Sequence, residues 1–485
     1  MNRKILIAFC SIFALSACNK QLDDLRPHNV TTEQLQFSTP DGFTQATLTL
    51  YQMITTGVGM ENDAFGYGGV TMFLPEAMGN NIHSFDPLLS KYADAFNYIN
   101  SADKNNSWTY SLWRASYFTI LHTNKLLDHV AKDEKNPIIL QAKAEALFVR
   151  AFVYFNLVRF YGKPYYQDAA NSPAVMLITT ANNAPDYKPA RASVKAVYDQ
   201  IINDLETAMP LFSQNKSSSF ASKQGAAALL SRVYLYMGGT FQQPAAAFNQ
   251  KAVDNATMVI GSNKFTLSQN AAYRTYYSSN NKNNQEDIFA GNMDYGNSSI
   301  AQLYAYPTRI GYDGGYYRPS APLLSLIDPT DLRSSHYVVN ITPGITTDTI
   351  ATVKYMLNYT ALFSKSPFRY LRLAEVYLNR AEANAKLGNK DAALADLNTI
   401  RNRAGLPSVD LSGEALFNEI LLQRRIELAF EGHNSFDYFR NGLPMVRNYA
   451  SIGSGAMTIP ATSPKILLRV PQEEITLNPN LTQNP

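Results

Sequence analysis

Leu371, Ala374, Leu378, Ala381 and Ala385 recur at alternating steps of three and four residues, which places them on one face of a helix. Gly388 ends that helix, Asn389 or Asp391 caps the next, and Ala393, Leu397, Ile400 and Ala404 repeat the stripe until Gly405 and Pro407 stop it. The result is a helical hairpin whose small residues let two helices approach closely. A hairpin of this kind cannot bury its own apolar face, so the rest of the chain must supply neighbours.

Other stretches repeat the pattern. Residues 225–239 followed by 244–260 read as helix, glycine break and alanine-rich helix. Residues 141–162 are apolar nearly all round and read as a buried helix, with the next beginning at Ser193. The hairpins resemble tetratricopeptide units, and the expected fold class is all-α with such hairpins as the scaffold. A length of 485 residues suggests about three domains by size alone. Composition does not shift after the amino terminus, however, so one intertwined body over 40–485 is the expectation. Two segments lack a helical period and are rich in Gly, Asn, Ser and Tyr: about 57–106 and about 266–360. Loops of such length are uncommon as mere connectors and are where binding usually lives.

At the amino terminus, Arg3 and Lys4 precede an apolar run over 5–15. That run is too short to cross a bilayer as a helix, which takes about 20 residues, and it suits a signal peptide. Leu15, Ser16 and Ala17 before Cys18 resemble the bacterial lipoprotein cleavage box. Residues 1–17 are therefore read as the signal, Cys18 as the lipidated first residue, and the segment to residue 39 as a flexible tether. The only other cysteine, Cys10, leaves with the signal, which excludes disulfides, cysteine nucleophiles and thiolate metal sites. Arg3 and Lys4 leave as well, so the 42 basic side chains of the whole chain fall to within one of its 39 acids. No basic surface for nucleic acid follows from that balance.

The stretch "RRIELAFEGHNSFDYFRNG" looks at first like an active site. Phe417, Leu421, Arg424, Leu428 and Glu431 fall at steps of four, three, four and three, so Arg424 and Glu431 sit within an apolar stripe. A charge on a packing face must be paired, because burying it alone costs several kcal/mol. Arg424 is expected to hold Glu427, Glu431 or a neighbouring helix terminus. Gly432 should end the helix, and His433 and Asp437 should fasten the next turn. All five are read as structural.

Nothing else in the sequence marks catalysis. The six histidines show no HExxH spacing, and no GxSxG elbow, phosphate loop or GxGxxG stretch is present. Acid pairs such as Glu286-Asp287 and Glu473-Glu474 imitate a glycosidase only if two carboxyls face across a cleft. No cofactor or metal site is expected.

The motifs "RLAEVYLNRAEANAKLG", "LNTIRNRAGLP", "QRRIELAFEGHNSFDYFRNG" and "VPQEEITLNPNLTQNP", with "AEALFVRAFVYFNLVRFYG" earlier, together resemble the SusD/RagB family of outer-membrane nutrient-binding lipoproteins. The resemblance covers nearly everything after the leader. It implies a helical scaffold, a lipid anchor at the outer membrane facing the cell exterior, and a SusC-like TonB-dependent barrel transporter as partner. It also implies capture of oligosaccharides, or in some members peptides, and no enzymatic activity. Within that reading 367–442 belongs to the shared scaffold.

Sugars are held by aromatic rings against their C–H faces and by amides and carboxylates on their hydroxyls. The second irregular segment offers Tyr304, Tyr306, Tyr312, Asp313, Tyr316, Tyr317 and Arg318; the first offers Phe65, Tyr67, Asn80, Asn81, Phe85 and Asp86. Trp108 and Trp113, at helical spacing, are read as core. Arg309 and Arg318 would suit peptide termini, the alternative ligand. A helical glycan hydrolase and a periplasmic tetratricopeptide scaffold are the readings from other classes.

Overall fold

The computed structural model describes residues 32–56, 66–84, 90–99, 107–182, 184, 186–277, 284–291, 300–304, 317–340, 349–355, 365–449 and 455–485. Its principal helices are α1 (Pro40–Thr55), α2 (Gly66–Ala77), α3 (Ser107–Asp128), α4 (Pro137–Tyr161), α5 (Val194–Ala208), α6 (Lys223–Met237), α7 (Ala246–Gly261), α8 (Leu373–Leu387), α9 (Lys390–Arg403), α10 (Gly413–Glu427) and α11 (Asn434–Arg440). Four short strands matter below: β1 (Ile82–Ser84), β2 (Asp287–Gly291), β3 (Tyr317–Pro319) and β4 (Phe368–Arg372). From α3 to α10 each of these helices packs on the one before it, so the expected hairpins form a continuous helical stack.

The longest helix, α4, starts where Asn136 accepts from the Ile138 N–H at 2.9 Å and Pro137 supplies the first turn. It is buried on nearly every side, as its sequence implied, and its polar residues are therefore paired. Arg150 grips Asp204 of α5 through two bonds of 2.8 and 2.7 Å, and Glu145 accepts from Tyr51 of α1 at 2.9 Å. Ser193 caps α5 on the Ala196 N–H at 3.2 Å, as expected. Trp108 and Trp113 are both 1% exposed.

The α8–α9 hairpin follows its sequence closely. Gly388 adopts φ 78°, and it and Asn389 return their N–H groups to Ala385 and Asn384. Asn389 occupies the cap of α9, but its side chain donates instead to Asn384 Oδ1 at 3.1 Å. Ala374, Ala381 and Ala393 are fully buried at the crossings. Buried Arg232 of α6 joins Glu375 of α8 through two 2.5 Å bonds.

Both irregular segments contain more regular structure than their composition implied. Helix α2 lies inside the first and is buried at every residue. Gly68 there faces the Phe368 ring and the Tyr370 hydroxyl, with no space for a Cβ. Its glycines serve close approach as well as turning, and a helix buried all round shows no polar stripe to reveal it. Strand β2 lies inside the second segment, pairs antiparallel with β4 and is buried throughout.

The ion network at the heart of the C-terminal half joins these parts. Arg372, at the end of β4, donates to Glu431 at 2.6 Å, to Glu427 at 2.7 Å and to Glu286 at 3.0 Å. Arg403 of α9 reaches the same Glu427 at 2.5 Å and Glu286 at 3.0 Å, and Lys354 reaches Glu431 at 2.5 Å. Arg333 bridges Asp331 at 2.6 Å and approaches Glu427 at 3.6 Å. Four cations thus meet four carboxylates, and all eight residues are buried. Burial opposes ionisation of Glu431, but Arg372 and Lys354 outweigh it and hold its carboxyl down at about 2. Arg403, Arg372 and Arg333 hold Glu427 well below the usual range against the same opposition.

Replacing Arg372 by Met takes one cation from three buried carboxylates and leaves the cluster with excess negative charge, and equilibrium urea unfolding should show a loss of about 3–5 kcal/mol at neutral pH. The pH dependence follows from Glu431. Its folded pKa lies below its ordinary 4.5, so its contribution is complete above pH 4.5 and is lost as pH falls toward 2. The loss is on the order of 3 kcal/mol, and Glu431→Gln should flatten that acid limb in unfolding measurements across pH 5 to about 2.

Candidate binding site where the two irregular segments meet

Strands β1 and β3 form an antiparallel ribbon, with Ile82 opposite Pro319, His83 opposite Arg318 and Ser84 opposite Tyr317. One strand comes from each irregular segment, so the structure brings the two together. Ser320 extends the contact, donating its N–H to Asn81 O and its hydroxyl to Asn80 O, both at 2.8 Å. The same Ser320 caps a short helix, Ala321–Leu324, through the Leu323 N–H. Burial, reinforced by Arg318, pushes the His83 imidazole down, so it is neutral at pH 7.

The expected ligand residues divide sharply by position. Tyr304 is fully buried, stacked on Tyr355 at 5.7 Å and edge-on to Phe430 at 5.0 Å. Tyr317 is 2% exposed, against Phe73 at 4.9 Å and Phe96 at 5.9 Å. Tyr67 is fully buried in α2, where its hydroxyl accepts from Asn156 at 3.2 Å. These rings pack the segments onto the helices and offer no face to solvent. Arg318 is buried in the ribbon.

Asn80 and Asn81 are likewise buried and joined to the C-terminal motif. Asn80 takes Asn434 Oδ1 on its N–H at 2.7 Å and donates to Val446 O at 2.9 Å, while Arg425 donates to Asn81 Oδ1 at 2.8 Å. Tyr306, Tyr312, Asp313, Tyr316, Phe65, Phe85, Asp86 and the lipidation residue Cys18 lie outside the described residues.

The motif at 424–442 is buried and paired, with details its sequence did not give. Arg424 does not hold Glu427 or Glu431; it donates to Asn379 at 2.7 Å and to both oxygens of Asp437 at 3.2 Å, with Glu382 at 3.4 Å. The cause is an early end to the helix. α10 stops at Glu427, whose carboxylate turns toward Arg372 and Arg403. Phe430 then takes φ 68° and Gly432 φ 79°, which returns the chain so that Asp437 on α11 lies beside Arg424. Asp437 also pairs with Arg440 at 2.6 Å, whereas the His433 Nδ1 has no hydrogen-bond partner.

Sequence reasoning missed Glu76, at the end of α2. Its Oε1 accepts from the backbone N–H groups of Gly432, His433 and Asn434 at 3.2, 3.3 and 3.4 Å, and its Oε2 from Asn81 at 3.3 Å. Burial pushes this carboxyl up to about 7 against those donors. An acid in an otherwise apolar stretch was the available signal. The Glu286-Asp287 pair is also absorbed: Glu286 by Arg372 and Arg403, Asp287 by Arg369 at 3.3 Å.

Two of the concavities among the described residues bear on ligand binding. One, about 250 Å³, lies beside α10 and α11 and is lined by Arg425, His433 and several leucines. The other is an open groove of about 400 Å³ over α5, α6 and α7, bearing Tyr165, Tyr234, Phe248, Lys195 and Asp199. Among the described residues no group of three or more His, Cys, Asp or Glu side chains gathers to hold a metal, and no helix is long and apolar enough to cross a membrane.

Two family models match the chain: the SusD family over residues 333–485, and a family described as starch-binding and associating with the outer membrane over residues 51–235. SusD-like protein P2 of Formosa agariphila is 25% identical over 437 residues, covering 78% of this chain and 81% of that protein. A SusD superfamily protein of Bacteroides thetaiotaomicron superposes with TM-score 0.78 at 26% identity, over 92% of this chain and 100% of that one. Surface glycan-binding protein A of Bacteroides uniformis shares the fold with TM-score 0.75 at 20% identity, over 92% and 99%. The helical stack and the matches at both ends agree: the chain belongs to the SusD-like family of carbohydrate-binding proteins associated with the outer membrane.

Proposed function

We propose that this chain is a cell-surface lipoprotein, anchored through acylated Cys18, that captures oligosaccharides and passes them to a SusC-like TonB-dependent barrel transporter. The family supports the ligand class, and the cleavage box before Cys18 supports the anchor. The observation that carries the reading is the register of the ribbon, in which Ser84 pairs with Tyr317. Phe85 and Asp86 follow Ser84 directly, and Tyr312, Asp313 and Tyr316 lead into Tyr317. One end of the ribbon therefore joins the two stretches richest in ring and carboxylate side chains, which is the composition that sugar recognition needs. We assign ligand contact to these residues, with Tyr306 and Phe65 at their flanks. Tyr304, Tyr317, Tyr67, Asn80, Asn81 and Arg318 hold the platform beneath. Binding without chemistry fits a chain whose buried Glu286-Asp287 pair is already neutralised by arginines.

Calorimetric titration of the soluble chain beginning at Asn19, against starch-type and other oligosaccharides and against peptides, tests the site. Saturable heat with one glycan class is expected, weakened about tenfold or more in a Tyr312→Ala/Tyr316→Ala double variant of unchanged melting temperature. Tyr317→Ala should instead lower the melting temperature, because its ring is core. Saturable heat with peptides alone would reassign the ligand. On intact cells, added protease should digest the protein, and detergent extracts should yield it together with a barrel transporter. Protection until the outer membrane is opened would refute the surface location.

A further inference from the structure

The 250 Å³ cavity beside α10 and α11 is walled by Leu326, Leu421, Leu422 and Leu443 and carries Arg425 and His433 at its polar side. Asn81, Asn418, Asn434 and Tyr438 line it beside the leucines. Its volume lies just below the roughly 300–1,000 Å³ of sites for drug-sized ligands, which limits the occupant to a compact molecule.

The charge at the cavity is specific. Arg424 and Asp437 also line it, but they pair with each other, and Glu382 and Arg440 complete their partners. Arg425 differs: its Nε donates to Asn81 Oδ1 at 2.8 Å and its Nη2 to Asn80 O at 3.3 Å, both neutral acceptors. Among the described residues no carboxylate lies within ion-pair distance of it. His433 is 5% exposed, and its Nδ1 has no hydrogen-bond partner. Burial and the surrounding arginines keep this imidazole neutral, and its Nδ1–H tautomer is a donor.

We propose that this cavity binds a small carboxylate with a compact apolar body, its carboxylate on Arg425 and its aliphatic part among the leucines. That chemistry is shared by the end of a peptide terminating in a branched apolar residue and by a free branched-chain acid. The cavity shares Asn81 with the platform beneath the ribbon, while its leucines and Arg425 belong to other parts of the chain.

The test is calorimetry on the full mature chain with N-acetyl-leucine, 4-methylpentanoate and uncharged N-acetyl-leucinamide as probes. Saturable binding of at least one acid, with the amide weaker by about tenfold or more, is expected. N-acetyl-leucine alone would identify the peptide end as the source, and 4-methylpentanoate binding equally well would identify the free acid. Arg425→Gln should abolish acid binding. Leu422→Trp, which fills the cavity from its wall, should do the same while leaving oligosaccharide binding intact. Equal binding of acid and amide, acid binding that survives Leu422→Trp, or no heat with either acid at millimolar concentration would overturn the proposal.

Discussion

Arg372 is the residue on which the architecture turns. It ends β4, immediately before α8, and its guanidinium meets Glu286 from the start of β2 and Glu427 and Glu431 from the end of α10. A buried arginine is tolerable only with its charge matched and its donors occupied, and a buried glutamate only under the mirror condition. The eight groups of this network match in charge, because Arg403, Lys354 and Arg333 balance the carboxylates that Arg372 alone would leave in excess, although Arg333 Nη1 and Arg403 Nε make no hydrogen bond. Such a cluster adds little net stability over an apolar core of equal volume, but it penalises every arrangement that separates its members. Here those members come from six separate parts of the sequence, at 286, 331–333, 354, 372, 403 and 427–431.

What the sequence disclosed follows from what periodicity can carry. The hairpin at 373–403 announced itself through its stripe of leucines and alanines at helical spacing and its glycine stops; α9 keeps an exposed face, whereas α8 is buried nearly all round. The buried status of Arg424 was legible for the same reason, since a charge inside an apolar stripe stands out. Its partner was not legible, because that depends on where α10 ends and on two left-handed residues, Phe430 and Gly432, that bring Asp437 back beside it. Helix α2 was invisible to the same logic: buried on every side, with glycines and Pro75 inside it, it reads locally as loop.

The candidate ligand residues show a related ambiguity. Tyrosine serves equally as a core ring and as a sugar platform, and composition does not separate the two uses. Tyr304 and Tyr317 turned out to be packing residues because the segments that carry them lie against Phe73, Tyr355 and Phe430. Asn80 and Asn81, chosen for their amides, spend those amides and their backbone groups on Arg425, Tyr438 and Val446. Residues whose hydrogen-bonding capacity is consumed by the scaffold fix the position of their neighbours and leave recognition to them.

The stretch that first resembled an active site is best understood as a common anchorage. The first irregular segment is tied to it by one carboxylate, Glu76, held by three successive N–H groups at 432–434. The second is tied by another, Glu286, through Arg372 and Arg403 to Glu427. Both anchors act at the roots of the segments, next to α2 and β2, and constrain where each segment leaves the scaffold without specifying the side chains beyond. Charge crowded at 424–442 therefore holds the two irregular segments in register, in keeping with the pairing of β1 with β3. A scaffold built this way fixes the roots of both segments with buried charge, so that their stability is set there.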